Sequence, residues 1–233
     1  MNKKINISKS AIGLYLKCPY AFYLNKVLNL KTKSFPAMNS GRLLHDKFNK
    51  YFDVIRSDYL EEDLKKKPLN TGMTAYEQGQ YENFLKFNNR KYKALKNKKD
   101  FMPMFKEIGI TIPYNKRLDL KGFIDRVDKF DNQIIVMDYK TGRTRNDISS
   151  YLMELSFYEN LLNKKYKIFG THWGIYFSYY DDFAITPALP NHYETAIVPI
   201  IDEIDKNIQD NNFKPSYDCK WCLMKEHCSK VKK

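Results

Sequence analysis

The segment Gln133-Ile134-Ile135-Val136-Met137-Asp138-Tyr139-Lys140 constrains this chain more than any other. An apolar run leads into an acid and a lysine two positions apart. In a β-strand, side chains alternate between faces, so Asp138 and Lys140 project together while Tyr139 points away. Upstream, Arg117 to Lys129 reads as a second strand, and the link Phe130-Asp131-Asn132 suits a hairpin turn. Across that hairpin, Asp125 of Gly122-Phe123-Ile124-Asp125-Arg126-Val127-Asp128 can lie beside Asp138. A carboxylate beside an ammonium at the end of an apolar strand is costly unless the pair has partners or a task. Two such carboxylates make a hard-oxygen site for Mg²⁺ or Mn²⁺. Taken alone, an Asp-x-Lys strand is more often an exposed ion pair of little worth. Arg126 and Asp128 read as an ordinary cross-strand or solvent pair.

Helices are expected on both sides of this β-rich centre. Ser8 or Ser10 can cap a first helix running to about Val27, interrupted by Pro19. Gly41 to Ile55 carries Leu44, Phe48, Phe52 and Ile55 at helical spacing. Residues 58–100 are charged and Tyr-rich; Tyr76 to Leu95 predicts a long surface helix, in a stretch that reads as an insertion or lid. Met104 to Tyr114 and Thr171 to Tyr180 read as strands, Asp147 to Asn163 and Glu194 to Gln209 as helices. The fold class is therefore α/β, a mixed sheet flanked by helices. One domain is expected over residues 1–233: N-terminal helices to 57, the insertion at 58–100, a core at 101–190 and a C-terminal helix with cysteines at 191–233.

Lys and Arg outnumber Asp and Glu by 40 to 27, a formal charge of +13. Such an excess attracts polyanions through counterion release, although a solvated lysine-rich surface fits it equally well. The runs Lys65-Lys66-Lys67, Lys96 to Lys99 and Lys230 to Lys233 fit either reading. The chain has 18 Tyr and 15 Phe, most of them expected in the core and the rest available for base stacking. No apolar run reaches the length of a membrane-spanning helix. The basic start Met1-Asn2-Lys3-Lys4-Ile5-Asn6 lacks an apolar signal region, so no membrane association and a cytoplasmic protein are expected.

The 4 cysteines are Cys18, Cys219, Cys222 and Cys228. Cys219-Lys220-Trp221-Cys222 has metal-ligand spacing, and no cysteine is left over from a four-thiolate centre. Two disulfides would suit a secreted chain, of which there is no sign. Zn²⁺ and a [4Fe–4S] cluster both accept four thiolates, and spacing does not separate them. Tyr217 and Trp221 sit among the cysteines, available to shield such a centre or to stack on a base, and the hydrophobic surround that such centres need favours shielding.

In order along the chain, these segments resemble the RecB-like branch of the PD-(D/E)XK nucleases. Gly122 to Asp128 followed by Val136-Met137-Asp138-Tyr139-Lys140-Thr141-Gly142 is similar to the core of that branch. Gly41-Arg42-Leu43-Leu44-His45 resembles its upstream Gly-x-x-x-His motif, and Tyr151 to Tyr158 its Gln-x-x-x-Tyr helix. The resemblance implies a restriction-endonuclease-like core with His45, Asp125, Asp138 and the Tyr139 carbonyl around Mg²⁺ or Mn²⁺. It assigns Lys140 to orienting or helping to deprotonate the attacking water. Glu154 stands where the family has Gln; it and Tyr158 share a helix face and can both reach the site. The extra carboxylate would either bind a second ion or repel the DNA backbone. Iron–sulfur members place one cysteine before the core and three after it, which implies a structural [4Fe–4S] cluster on Cys18, Cys219, Cys222 and Cys228. The implied activity is a deoxyribonuclease, an exonuclease on single-stranded DNA or DNA ends. The implied setting is recombination, repair or CRISPR spacer acquisition, with a helicase or integrase as partner. The competing expectation is a catalytically weak iron–sulfur protein that binds DNA ends.

Overall fold

The chain opens on β1 (Ile5–Ile7) and enters α1 (Lys9–Lys17), where the Ala11 N–H donates to Ser8 Oγ at 3.2 Å. The computed structural model describes residues 4–32, 36–55, 72–216, 219 and 222–229. Tyr217, Trp221 and the lysine runs at 65–67 and 230–233 lie outside the described residues. The single first helix of the sequence reading is in fact three pieces: α1, α2 (Pro19–Phe22) and a π-helical turn over Tyr23–Val27. Proline forces Cys18 into an extended conformation (φ −161°), which ends α1 and starts α2. The order continues through α3 (Pro36–Val54), α4 (Ala75–Ala94), β2 (Phe105–Pro113), β3 (Leu118–Phe130) and β4 (Gln133–Lys140). It ends with α5 (Leu152–Tyr166), β5 (His172–Phe177), β6 (Asp182–Pro187), α6 (His192–Ala196) and α7 (Val198–Asp210). Among the described residues, no helix is long and apolar enough to cross a membrane.

Two compact units divide the chain. The first comprises Met1–Ser34, Ile110–Gly122 and Pro190–Lys233. In it β1 runs parallel to the start of β3, in the register Ile5↔Leu118 to Ile7↔Leu120. Ile7, Ile12, Tyr15, Phe22, Leu118, Ile201 and Ile204 are buried there. Arg117 grips Asp205 of α7 through two hydrogen bonds of 2.8 and 2.6 Å.

The second unit comprises Phe35–Gly109 and Phe123–Leu189. Here the end of β3 pairs antiparallel with β4, from Arg126↔Met137 to Phe130↔Gln133, around the two-residue turn Asp131-Asn132. Asp131 takes a left-handed φ of 53°, as tight hairpin turns require. β4 runs parallel to β5, from Ile135↔His172 to Lys140↔Phe177, with α5 as the crossover, and β6 closes the edge antiparallel to β5. Ile135, Met137 and Tyr139 face α3 and α4, in a core with Leu44, Phe48, Phe52, Phe84 and Phe87. Gly174 on β5 is a close-approach position, since a Cβ there would sit 2.7 Å from the Phe183 ring.

Helix α4 corrects the expectation of a surface helix. Its face Gln80, Tyr81, Phe84, Phe87, Asn88 and Lys91 is buried. Thr74 starts it with a capping box: the Thr74 N–H donates to Glu77 Oε2 at 2.8 Å, and the Glu77 N–H to Thr74 Oγ1 at 3.4 Å. The other Glu77 oxygen accepts from Ser40 of α3 at 2.7 Å, tying the two helices together. Thr74→Ala is expected to lower unfolding free energy by about 1 kcal/mol, read from urea denaturation. An unchanged midpoint would show that Glu77 holds α4 without the cap.

The pair Arg126 and Asp128 is another correction, for it is not a solvent pair. Arg126 is fully buried and donates from Nε to Asp128 Oδ1 at 2.7 Å. Lys91 meets Asp128 Oδ2 at 2.9 Å, Asn88 Oδ1 accepts from Arg126 Nη1 at 2.8 Å, and the guanidinium lies 4.6 Å over the Phe52 ring. Residues two apart on a strand share a face, and here that face is the core. Burial lowers the Lys91 pKa to about 8 despite Asp128 beside it.

Candidate functional site

The opposite face of β4 carries Val136, Asp138 and Lys140, and α5 packs on that side. The backbone ladder between β3 and β4 ends at Arg126↔Met137. One step on, the Asp125 carboxylate takes the place of a backbone acceptor: the Tyr139 N–H donates to Asp125 Oδ2 at 2.7 Å. Asp125 and Asp138 are both buried, and the second oxygen of Asp125 lies 3.2 Å from His45 Nδ1 of α3. Tyr139 turns its ring to the other face, edge-on to the His45 imidazole at 5.7 Å between centroids.

Glu107 of β2 joins this group, with Oε1 3.6 Å from His45 Nδ1. Ligand atoms of His45, Glu107 and Asp125 all lie within 4.8 Å of one another. The sequence reading missed Glu107. Its φ of 45° is left-handed, an irregularity inside a strand that re-aims the side chain. The visible signal was faint: an acid inside a strand, two residues before Gly109.

Lys140 Nζ lies 2.6 Å from Asp138 Oδ2 and donates to Glu154 Oε2 at 2.9 Å. Glu154 is buried on α5 and accepts from the Tyr158 hydroxyl at 3.3 Å, one turn along. His45, Asp125, Asp138, Lys140, Glu154 and Tyr158 thus stand together in the second unit, with the Tyr139 backbone between them. Burial alone would lower the His45 pKa, but hydrogen bonds to Asp125 and Glu107 and the charge of Asp138 push it up to about 10. Lys140 follows the same logic. Burial opposes its charge, and Asp138 and Glu154 outweigh burial, holding it well above the ordinary lysine value. Burial and the surrounding carboxylates hold the Tyr158 hydroxyl far above the usual tyrosine range.

The donor set suits a hard divalent ion. It offers carboxylate oxygens and one imidazole nitrogen, those of His45, Glu107 and Asp125 being close enough together to hold one ion.

The four cysteines belong to the first unit, and all are free thiols. Cys18 Sγ accepts the Ala21 N–H at 3.4 Å and the Ser216 N–H at 3.3 Å. Cys18, Cys222 and Cys228 pack against an apolar patch of Ala21, Leu24 and Met224. The Cys222 thiol is pushed up by burial first, and then by the nearby Cys18, Cys219 and Cys228. Sulfur donors with an apolar surround are what a thiolate-bound centre uses, while among the described residues the group close enough to hold a single ion is His45, Glu107 and Asp125, with no cysteine in it.

A family model described as the PD-(D/E)XK nuclease superfamily matches residues 6–229. The chain is also similar to one subunit of the ATP-dependent helicase/deoxyribonuclease from two strains of Clostridium perfringens, at 23% identity over 188 residues. That match takes in 64% of this chain and 16% of those proteins, so the chain spans a small part of the length of the curated relatives it matches. The solved structure of SSO0001 aligns with a TM-score of 0.46 at 15% identity, covering 98% of this chain and 88% of that one.

Proposed function

The chain belongs to the PD-(D/E)XK nuclease superfamily, and from that premise we propose that it is a metal-dependent deoxyribonuclease acting on single strands or ends. The observation that carries the reading is one cluster. His45, Asp125 and Asp138 stand beside a lysine that shares a strand face with Asp138. His45, Asp125, Asp138 and the Tyr139 carbonyl would hold Mg²⁺ or Mn²⁺. A bound divalent ion polarises the phosphate and lowers the pKa of a water. Lys140, kept cationic by Asp138 and Glu154, stabilises negative charge growing on the phosphorus oxygens and orients the attacking water. Glu154 is engaged with Lys140 and Tyr158, which favours a positioning role over a second ion site or repulsion of DNA. Glu107 adds a carboxylate beside His45 and helps to keep the imidazole oriented.

Cys18, Cys219, Cys222 and Cys228 would hold a structural [4Fe–4S] cluster. Cys222→Ser is expected to lose iron and acid-labile sulfide in anaerobically purified protein. It should also lower stability by up to about 5 kcal/mol, the chain-entropy value for closing so long a loop. Zinc at one per chain in the wild type would replace the cluster with a single ion.

The similarity to part of a helicase/deoxyribonuclease supports a DNA substrate and a helicase partner, with an integrase as the alternative in spacer acquisition. A competing reading is a DNA-end binder with weak chemistry. The two separate on Mn²⁺ titration of the wild type and Asp125→Asn. The nuclease reading expects one Mn²⁺ bound by the wild type, a weaker fit in the variant, and DNA hydrolysis that tracks occupancy. DNA binding without hydrolysis at full Mn²⁺ occupancy would leave the end-binder.

A further inference from the structure

The turn between β5 and β6, Ser178 to Asp181, carries two adjacent tyrosines that the chemistry above does not use. Tyr179 is 39% and Tyr180 44% exposed, although both are large aromatics. Their rings lie 5.0 Å apart at 84°, and Tyr179 lies 5.6 Å from the Tyr76 ring of α4. The Arg143 guanidinium sits 5.1 Å from the Tyr76 ring and 5.7 Å from the Tyr179 ring. Rings hold it, and among the described residues no carboxylate does.

This group is fixed from beneath. The Ser178 N–H donates to the Lys140 carbonyl at 3.0 Å, and Ser178 Oγ to Gln80 Oε1 at 2.6 Å. Asn83 Nδ2 donates to the Ser178 carbonyl at 3.0 Å, and Arg90 grips both oxygens of Asp181 at 2.7 Å. The Tyr76 hydroxyl donates to the Thr141 carbonyl at 3.2 Å, and the Tyr180 hydroxyl to the Arg143 carbonyl. The hydroxyls of Tyr76 and Tyr180 are thus spent on the loop that leaves Lys140. What these side chains offer outward is ring surface and one guanidinium, already ordered.

We propose that Tyr76, Tyr179, Tyr180 and Arg143 form the platform on which an unpaired DNA strand stacks its bases while its phosphates reach Lys140. The proposal rests on the nuclease reading and adds where the strand lies. Stacking on a protein ring needs a base whose face is free, and duplex bases cover each other's faces. Every base has a π-face, so such a platform takes any sequence. The guanidinium adds cation–π attraction and meets the backbone charge. Lys140 is hydrogen-bonded through its carbonyl to the turn and stands three residues before Arg143, so the rings lie at the end of the strand that carries Asp138 and Lys140.

The test is fluorescence anisotropy of an end-labelled thymidine strand and an abasic strand of equal length, in EDTA so that neither is cut. The wild type is expected to bind the thymidine strand about tenfold or more tightly, one stacked base being enough for that. Tyr179→Ala/Tyr180→Ala should erase the preference, Tyr179→Phe should keep it, and affinity for a blunt duplex should be the same in all three. Equal affinity of the wild type for both strands would overturn the platform, and so would a double variant that keeps the preference. Hydrolysis of thymidine 5′-p-nitrophenyl phosphate with Mn²⁺ reads the chemistry without a strand. Failure there in the wild type counts against the nuclease reading and leaves the base preference to be judged by itself.

Discussion

Lys140→Ala is expected to slow DNA hydrolysis by about 10²–10³-fold while leaving Mn²⁺ affinity unchanged or raised. The two halves of this expectation come from one geometry. Lys140 Nζ lies 2.6 Å from Asp138 and 2.9 Å from Glu154, so part of its charge now neutralises Asp138, a carboxylate that a divalent ion would also use. Removing it leaves the ion with less competition. The charge that would meet the scissile phosphate is gone, so chemistry fails although the site fills. Glu154 would be left buried with the Tyr158 hydroxyl, which costs some stability, so folding should be checked on the same preparation. A variant that loses Mn²⁺ binding and hydrolysis together would instead make Lys140 a structural member of the site.

Asp128→Ala is expected to be the most destabilising single substitution in the second unit, at about 3–5 kcal/mol. The carboxylate lies between two cations, Arg126 at 2.7 Å and Lys91 at 2.9 Å, none of them more than 7% exposed. Truncation strands two buried positive charges without a counter-ion. Lys91 can shed its proton, since burial already brings its pKa to about 8, but Arg126 cannot. Urea denaturation should show the loss, and restoring charge balance with Asp128→Ala/Arg126→Met should recover part of it. A cost below about 1 kcal/mol would mean that water reaches the network.

The hairpin that builds the site was legible because two rules act on it together. Alternation on β4 placed Asp138 beside Lys140, and the two-residue turn fixed the register that brings Asp125 opposite. Helix α4 was legible as a helix but misjudged as a surface one. Its buried stripe interleaves Tyr81, Phe84 and Phe87 with Gln80, Asn88 and Lys91, and those polar residues find their partners far along the chain, Asn88 and Lys91 on Arg126 and Asp128 of β3 and Gln80 on Ser178. The same blindness to partners made Arg126 and Asp128 look like surface groups. Glu107 depends on one backbone angle that no propensity announces. Short edge strands escaped too: β1 is three residues long, and β6 is half-exposed along its length. His45 and Glu154 were reached through motif resemblance, since each alone is an ordinary helical residue. Their approach to β4 is a matter of helix packing on either side of a sheet.

The most direct measurement is degradation of end-labelled single- and double-stranded DNA by anaerobically purified protein, with Mg²⁺, Mn²⁺ or EDTA, beside Asp138→Ala. Cleavage that requires the divalent ion and disappears in the variant, with products that give the polarity, is the result expected here. Cleavage that persists in EDTA or in Asp138→Ala, or none by a folded wild type loaded with metal, would contradict it.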